Sequence, residues 1–417
     1  MSNDNPPAYR RLVPLPSAVK ERLRAWGVTR AAWTVLRARQ VEDEYRRRRE
    51  YYARRAAEGG QVYSEARTTS EVRARLASRG YSPVLRRAGE VHTFASIPNY
   101  GWHNHLLPDL HELGTVTRFD YTQLGFMLER LAATGGEATR RERARLNDLL
   151  FEAIRDAHAR QPVDWVFLYG GGQDYSPVTL RRIANEIGVP IVNMSLDDKQ
   201  GFIGASAGDA RTGSIDLTRE TDLFMTSARV ACEWHMVEGG RPVYLPEGFD
   251  GTSFRPRNVP RDIPVSFIGG AYGFRTSAIQ GLRKCGVDIQ TFGTGWPRSG
   301  WTNDIVEILN RSRINLGMGG VEYSESLTNV KGRDFEVPGT GGGMYLTSFN
   351  PDLAQHFEIG REIVCYRNRD EMVELIRYYL TRPEEAEAIA ERARARSLRE
   401  HRWLHRYEAM LRILGVL

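Results

Sequence analysis

The sequence predicts an α/β chain holding two parallel sheets in tandem, each covered by helices on both faces. Three observations predict it. Short apolar runs alternate with helical runs from residue 90 to residue 245, and the alternation resumes from 265 to 380. Between them lies an aperiodic Pro/Gly-rich segment: Leu245-Pro246-Glu247-Gly248-Phe249-Asp250, then Phe254-Arg255-Pro256, Pro260 and Pro264. Strands alternating with helices make parallel sheets. At 417 residues the chain exceeds one ordinary core, so two domains are expected.

Residues 16–57 read as helix, with Val19, Leu23, Trp26, Trp33, Leu36 and Val41 near helical spacing and a break at Gly27. The first body then runs Val91 to Ile97 (strand), Trp102 to Leu113 (helix), Val116 to Phe119 (strand) and Ala138 to Ala159 (helix). Val163 to Tyr169 is a buried strand ending in Gly170-Gly171-Gly172; Pro177 to Ile187 is a helix and Pro190 to Met194 a strand. Leu223 to Thr226, Ala228 to Glu238 and Pro242 to Leu245 repeat the theme. The second body has strands at 265–268, 287–292, 314–316, 344–347 and 363–366, with helices at 276–285, 305–311, 369–380, 383–400 and 403–414. Ligands of such sheets bind beyond the strands' carboxyl ends, where strand order reverses.

Composition excludes several classes. No apolar run approaches the roughly 20 residues of a membrane helix. The polar, Pro-containing Met1 to Arg10 shows no secretory signal. Cys232, Cys285 and Cys365 are scattered and form no CxxC pair, which argues against a disulfide framework or structural zinc and fits a reducing cytoplasmic setting. The net charge is +6, but residues 1–60 hold 14 Arg/Lys against 7 Asp/Glu, an excess of +7 that leaves −1 for the rest. The basic run Arg46-Arg47-Arg48-Arg49 lies beside Tyr45, Tyr51 and Tyr52. Such a helix can meet a partner, a nucleic acid or an anionic membrane surface, or can pack on the body by its aromatic stripe. Nothing matches a P-loop, a Ser-His-Asp set, HExxH or a dinucleotide fingerprint.

The most informative stretch is Arg333-Asp334-Phe335-Glu336-Val337-Pro338-Gly339-Thr340-Gly341-Gly342-Gly343, followed by the apolar Met344 to Thr347. It reads as a short helix with an acid, a glycine break and a buried strand. Glu336 suits a pair of ribose hydroxyls, since a carboxylate accepts both hydrogen bonds. The backbone from Thr328 to Gly332 suits phosphates at a helix start. A Gly-capped helix meeting a core strand accounts for the glycines without a ligand.

The junction Leu245-Pro246-Glu247-Gly248-Phe249-Asp250…Phe254-Arg255-Pro256 resembles the interdomain "P-x-G-x-D…F-x-P" segment of group 1 GT-B glycosyltransferases. Phe267-Ile268-Gly269-Gly270 looks like the first strand of their donor domain. Arg333-x-Phe335-Glu336-x-Pro338…Gly341-Gly342, with Leu353, Phe357, Gly360, Tyr366, Tyr378-Tyr379-Leu380 and His401…Arg406, resembles the spore maturation protein (CgeB-like) branch. The likeness is good over 245–410, weaker over 90–245 and absent over 1–80. It implies a GT-B architecture: two Rossmann-like domains facing a cleft, with an N-terminal helical extension over 1–85. The acceptor domain spans 86–247 and the nucleotide-sugar domain 248–400, and helix 401–417 returns to the former. In the wider group an E-x7-E pair grips the donor. Its second acid matches Glu336, and its first falls on Thr328, so this chain departs from the group's grip on the hexose.

The resemblance implies transfer of a sugar from a nucleotide diphosphate sugar to an acceptor hydroxyl, without a metal or other cofactor. Arg275 follows the Gly269-Gly270 turn and is placed to neutralise a diphosphate; Lys331, Arg333 and Asn329 are further donor-side candidates, with Arg333 at a position where the family pattern has an arginine. Gly293 and Gly295 follow a strand end, where a base or a tight turn accounts for them. Three loops at strand ends belong to the acceptor half: 97–103, 170–174 and 195–199. His103 leads as the base that takes the acceptor proton, followed by Asp197 and Asp198. Adjacent Asp197 and Asp198 point apart in a loop and so do not make a metal site. His235, on a helix, reads as a core histidine. The rival readings are a GT-B-fold binding or coat-associated protein without turnover, a nucleic-acid-directed protein using the basic helix, and a sugar-nucleotide epimerase.

Overall fold

The computed structural model describes residues 30–99, 101–126, 136–207, 210–296 and 304–417. The chain divides into two compact units, one containing Glu44–Pro246 and Leu404–Leu417, the other 30–43 and Glu247–Trp403. Of the N-terminal helix expected over 16–57, the portion before residue 30, with Gly27, lies outside the described residues.

Helix α1 (Arg30–Glu58) gives its start to the second unit and its remainder to the first. In the first unit Tyr52 is fully buried against Phe202 and Trp234, with ring centroids at 5.5 and 5.7 Å, and its hydroxyl donates to Glu238 Oε1 at 2.8 Å. Helical spacing puts Tyr45, Arg48 and Tyr52 on one face. Arg48 is therefore buried over the Trp234 ring and donates to the Lys199 carbonyl at 3.0 Å, whereas Arg46, Arg47 and Arg49 stay exposed. The aromatic stripe thus packs this part of the helix on the body, and one arginine of the basic run is consumed in doing so.

Helix α2 (Glu65–Ser78) starts at Ser64, whose hydroxyl accepts from the Arg67 amide at 3.2 Å. The elements that follow are β1 (Val91–Ser96), a tight 3₁₀ turn at Trp102–Leu106, α3 (Leu107–Leu113), β2 (Gly114–Phe119), α4 (Glu137–Arg160), β3 (Trp165–Tyr169) and α5 (Pro177–Arg182). Then come β4 (Ile191–Ser195), the short α6 (Asp198–Gly201), a small hairpin of β5 (Ser206–Ala207) and β6 (Ala210–Arg211), β7 (Leu223–Thr226), α7 (Arg229–Val237) and β8 (Pro242–Tyr244). The sheet runs β2-β1-β3-β4-β7-β8, every pair parallel. β3 shows why it is covered twice. Val166 and Leu168 face one core with Leu146, Leu150 and Ile154 of α4, while Trp165 and Phe167 contact the ring of Tyr407 at 6.3 and 5.4 Å.

The second unit continues with β9 (Ile263–Ile268), α8 (Arg275–Lys284), β10 (Ile289–Phe292), α9 (Ile305–Arg311), β11 (Ser312–Leu316), α10 (Arg333–Thr340), β12 (Met344–Ser348), β13 (Val364–Tyr366), α11 (Arg369–Leu380) and α12 (Pro383–Glu400). Its sheet runs β10-β9-β11-β12-β13, again all parallel. Val265, Phe267 and Ile289 pack with Ala278, Ile279 and Leu282 of α8.

Helix α13 (Trp403–Leu414) supplies residues 404–414 to the first unit. There the buried Asp109 carboxylate accepts from the Leu404 amide at 2.8 Å, and the Tyr407 hydroxyl donates to the Leu106 carbonyl at 2.9 Å. An acid at a helix start satisfies an otherwise orphaned amide. The fold is of the GT-B type: two Rossmann-like parallel-sheet units with an N-terminal helix.

The glycines at the end of α10 and just after it serve packing. A Cβ on Gly339 would lie 2.5 Å from the Phe249 ring, and one on Gly343 2.0 Å from the Ser312 carbonyl oxygen. Gly341 ends α10 at φ 64, a left-handed cap.

Candidate functional site

Each sheet places a group of polar residues at its carboxyl edge, next to its switch in strand order.

In the second unit the switch lies between β9 and β11. The loops after β9 and β10 are laced together: the Ala271 amide donates to Thr294 O at 2.9 Å, and Trp296 Nε1 to Gly269 O at 2.7 Å. Gly293 sits at φ 124 and a Cβ there would meet Gly269 O at 2.6 Å, so this glycine is demanded by backbone approach. Gly295 and Gly270 complete the same turn pair, a Cβ on Gly295 meeting that of Ala271 at 3.2 Å.

Arg275 opens α8 beside Gly269. Its guanidinium lies over the Tyr272 ring at 4.3 Å and near the Phe267 ring at 5.7 Å. It is half-buried and has no carboxylate partner among the described residues, and its Nε is buried without a hydrogen bond. Burial holds its pKa below the ordinary arginine range, and the nearby Arg333 cation adds to this against the opposing pull of Tyr272 and Tyr366. A cation so held is a ready anion site.

Glu336 lies on the first turn of α10 with its side chain only 13% exposed, ion-paired to Arg333 at 2.8 Å. Gly332 sits against this acid and a second one, Glu247. A Cβ at 332 would come within 2.7 Å of Glu247 Oε2 and 3.8 Å of Glu336 Oε1. Lys331 and Asn329 belong to the same approach, but their amides are already used: Asn329 N donates to Gly319 O at 3.0 Å and Lys331 N to Asp334 Oδ2 at 2.8 Å. The expected row of phosphate-binding amides from Thr328 to Gly332 is therefore partly spent on shaping the loop. Thr328 lines a separate cavity of ≈ 580 Å³ with Ser348, Phe349 and Tyr366, where Arg367 covers the Phe349 ring at 4.8 Å.

Asp334 organises this corner and carries no signal of its own in the sequence beyond a spacing of three from Lys331. Buried, it accepts from the Tyr345 hydroxyl at 2.7 Å as well as from Lys331 N. Burial pushes its pKa up to about 6, against the hydrogen bonds from Tyr345 and Lys331. The folded value lies above the unfolded one of about 3.9. Its contribution to stability is therefore full below pH about 4 and lost as pH rises through about 6. His103 acts oppositely, since burial and then the Arg118 charge push its pKa down to about 4. Asp334→Asn should thus make unfolding free energy climb more steeply with pH between about 4 and 6.5, the range from the His103 folded value to the reference histidine value. Urea titrations across that range check this; an unchanged slope refutes it.

In the first unit the switch lies between β1 and β3, and the three loops expected at strand ends line one cavity of ≈ 270 Å³. His103 comes from the first loop, Gln173 and Asp174 from the second, Ser195 and Asp197 from the third. Tyr100, in the first loop, lies outside the described residues. The His103 ring packs between Trp102 and Tyr169, at 4.2 and 4.9 Å. With its pKa near 4 it is neutral, the proton-accepting form, across the neutral range.

Asp197 is exposed at the cavity, but Asp198 is turned away and fully buried. Its Oδ1 accepts from Ser195 Oγ at 2.7 Å and Ser214 Oγ at 2.6 Å, and its Oδ2 meets His235 Nε2 at 3.0 Å. Burial raises the Asp198 pKa, but the charge and hydrogen bond of His235 and the hydroxyls of Ser214 and Thr226 outweigh it and hold it below the usual carboxylate range. Asp198 cannot reach an acceptor hydroxyl from there: the expectation of a third candidate base is corrected to a buried anchor, because a charged carboxylate in a core needs internal donors. His235 is its core partner, with Nδ1 against Thr218 Oγ1. Ser214, brought to the cavity by the 212–214 loop, has no local signal in the sequence.

No group of three or more His, Cys, Asp or Glu among the described residues is placed to hold a metal ion. No described helix is long and apolar enough to cross a membrane.

Residues 275–412 match the model of a family described as glycosyl transferase-like. No curated protein matches. Among solved structures, a glycosyltransferase from Rickettsia africae superposes with a TM-score of 0.51 at 12% identity, covering 78% of this chain and 98% of that one. The Anabaena protein HepE, solved with UDP and glucose, gives 0.49 at 12% identity over 79% of this chain and 100% of its own. Sucrose-phosphate synthase from Thermosynechococcus elongatus gives 0.44 at 12% identity, over 84% and 93%. The first of these likenesses supports the fold, and the family match places glycosyl transferase-like sequence on the unit that carries Arg275 and Glu336.

Proposed function

We propose that this protein transfers a hexosyl or related glycosyl group from a nucleotide diphosphate sugar to an acceptor hydroxyl, as a cytoplasmic member of the CgeB-like branch. The observation that carries the reading is Arg275: a half-buried guanidinium at the switch of the second sheet, without a carboxylate partner among the described residues. An unpaired cation in such a place costs desolvation, which a bound diphosphate offsets. The family match over the same unit and the UDP in the HepE structure point the same way.

In this reading Arg275 and Arg333 supply the charge that balances the leaving diphosphate, and no metal is required. Glu336 accepts the ribose hydroxyls and releases part of its pairing with Arg333 to do so. The first-unit cavity receives the acceptor, and His103 takes its proton.

The test is calorimetry with UDP, GDP and their glucose conjugates. One of them should bind, and Glu336→Ala should weaken it by roughly 1.5–3 kcal/mol, the range of charge-assisted hydrogen bonds. Binding of every nucleotide as tightly to the variant as to the unaltered protein refutes the role of Glu336. Absence of all binding refutes the function.

A further inference from the structure

The first-unit cavity presents acceptors and negative charge to whatever enters it. The hydroxyl protons of Ser195 and Ser214 are both committed to Asp198 Oδ1, at 2.7 and 2.6 Å. That carboxylate is itself pinned by His235 in the core, so the two hydroxyls cannot turn round without stranding a buried charge. Both residues line the cavity, and lone pairs are what their oxygens have left to offer a ligand. Asp174 and Asp197 line it too, and no Arg or Lys does among the described residues. Arg118, whose charge acts on His103, is paired with Asp120 at 3.2 Å. His103 contributes no positive charge at neutral pH, since burial holds its pKa near 4.

We infer that this cavity takes a neutral-to-cationic ring rich in hydrogen-bond donors, an amino sugar or aminocyclitol, and turns away phosphorylated and carboxylated ones. The inference rests on reading the cavity as the acceptor site and names the class of acceptor. A hydroxyl or ammonium donates to Ser195, Ser214 and Asp197, whereas a phosphate or carboxylate meets the lone pairs and like charge of these groups and finds no cationic side chain among the described lining residues to balance it.

Calorimetry of the full chain at pH 6.5 with D-glucosamine, D-glucose and D-glucuronate tests this. Glucosamine should bind about tenfold more tightly than glucose, and glucuronate more weakly than either. Asp197→Asn should bring glucosamine to within about threefold of glucose, weakening glucosamine more than glucose because only the ammonium loses a charge partner. Glucuronate binding as well as glucosamine, no saccharide binding at all, or a preference that survives Asp197→Asn overturns the inference. UDP titrated in parallel separates the two ideas: UDP bound with the wrong saccharide order removes only this one, and the right order without UDP removes only the donor reading.

Discussion

Arg275→Ala should cut nucleotide-sugar turnover, to acceptor or to water, by about 10²–10³, the range for losing one preorganised charge at a transition state. The substituted protein should melt no lower than the unaltered one. Those two results together are the signature of the arrangement. Arg275 packs against Tyr272 and Phe267 but meets no carboxylate among the described residues, so its charge does little for the folded chain alone. Its value appears when charge grows on the bridging oxygen of a departing diphosphate. Arg275→Lys should fall between, because an ammonium keeps the charge but loses the planar stack on Tyr272. Steady-state kinetics with the donor found by calorimetry, alongside a thermal melt, check both halves. Turnover within about threefold of the unaltered enzyme would remove Arg275 from the donor site.

His103→Gln should lower transfer by about 10²–10⁴, the usual contribution of a general base. The pH profile identifies the group more sharply than the rate does. Burial holds its pKa near 4, so protonation silences this base only as pH falls through about 4. Transfer should therefore be level from pH 8 to about 5 in its acid limb, where an ordinary histidine of pKa about 6.5 would already be failing. An acid limb centred near the ordinary value, or a glutamine variant as active as the parent, assigns the proton to another group. Asp197, exposed at the same cavity, is then the next to substitute.

Much of this was readable in the sequence because burial on both faces leaves a plain mark. Trp165 to Tyr169 and Met344 to Leu346 are apolar runs between helices, and such runs identify parallel strands. Convergence of three loops on one cavity was legible for the same reason, since loops at the carboxyl ends of neighbouring strands meet. Side-chain direction was not. Asp197 and Asp198 are alike as letters, yet one faces solvent and the other the core, and only Ser214 and His235, drawn in from other elements, decide which. Arg48 hid inside a run of four arginines for a similar reason, because its fate depends on Trp234. Helix α2 is obscured by charge: its buried residues, Thr68, Val72 and Leu76, recur every fourth place amid polar neighbours. Gly339, Gly341, Gly342 and Gly343 were legible as a helix cap meeting a core strand, and their close contacts are with Phe249, Arg394 and neighbouring backbone.

One unit is interrupted by the other: Glu44–Pro246 needs Leu404–Leu417 to be whole. Asp109 and Leu106 wait for partners that lie nearly three hundred positions downstream, with sequence separations of 295 and 301. On a chain emerging from its N-terminal end, the inserted half has all its strands before the outer half receives its closing helix. The outer half is thus the later to mature, and its unfinished apolar flank around Trp165 and Phe167 is what a chaperone would meet during synthesis.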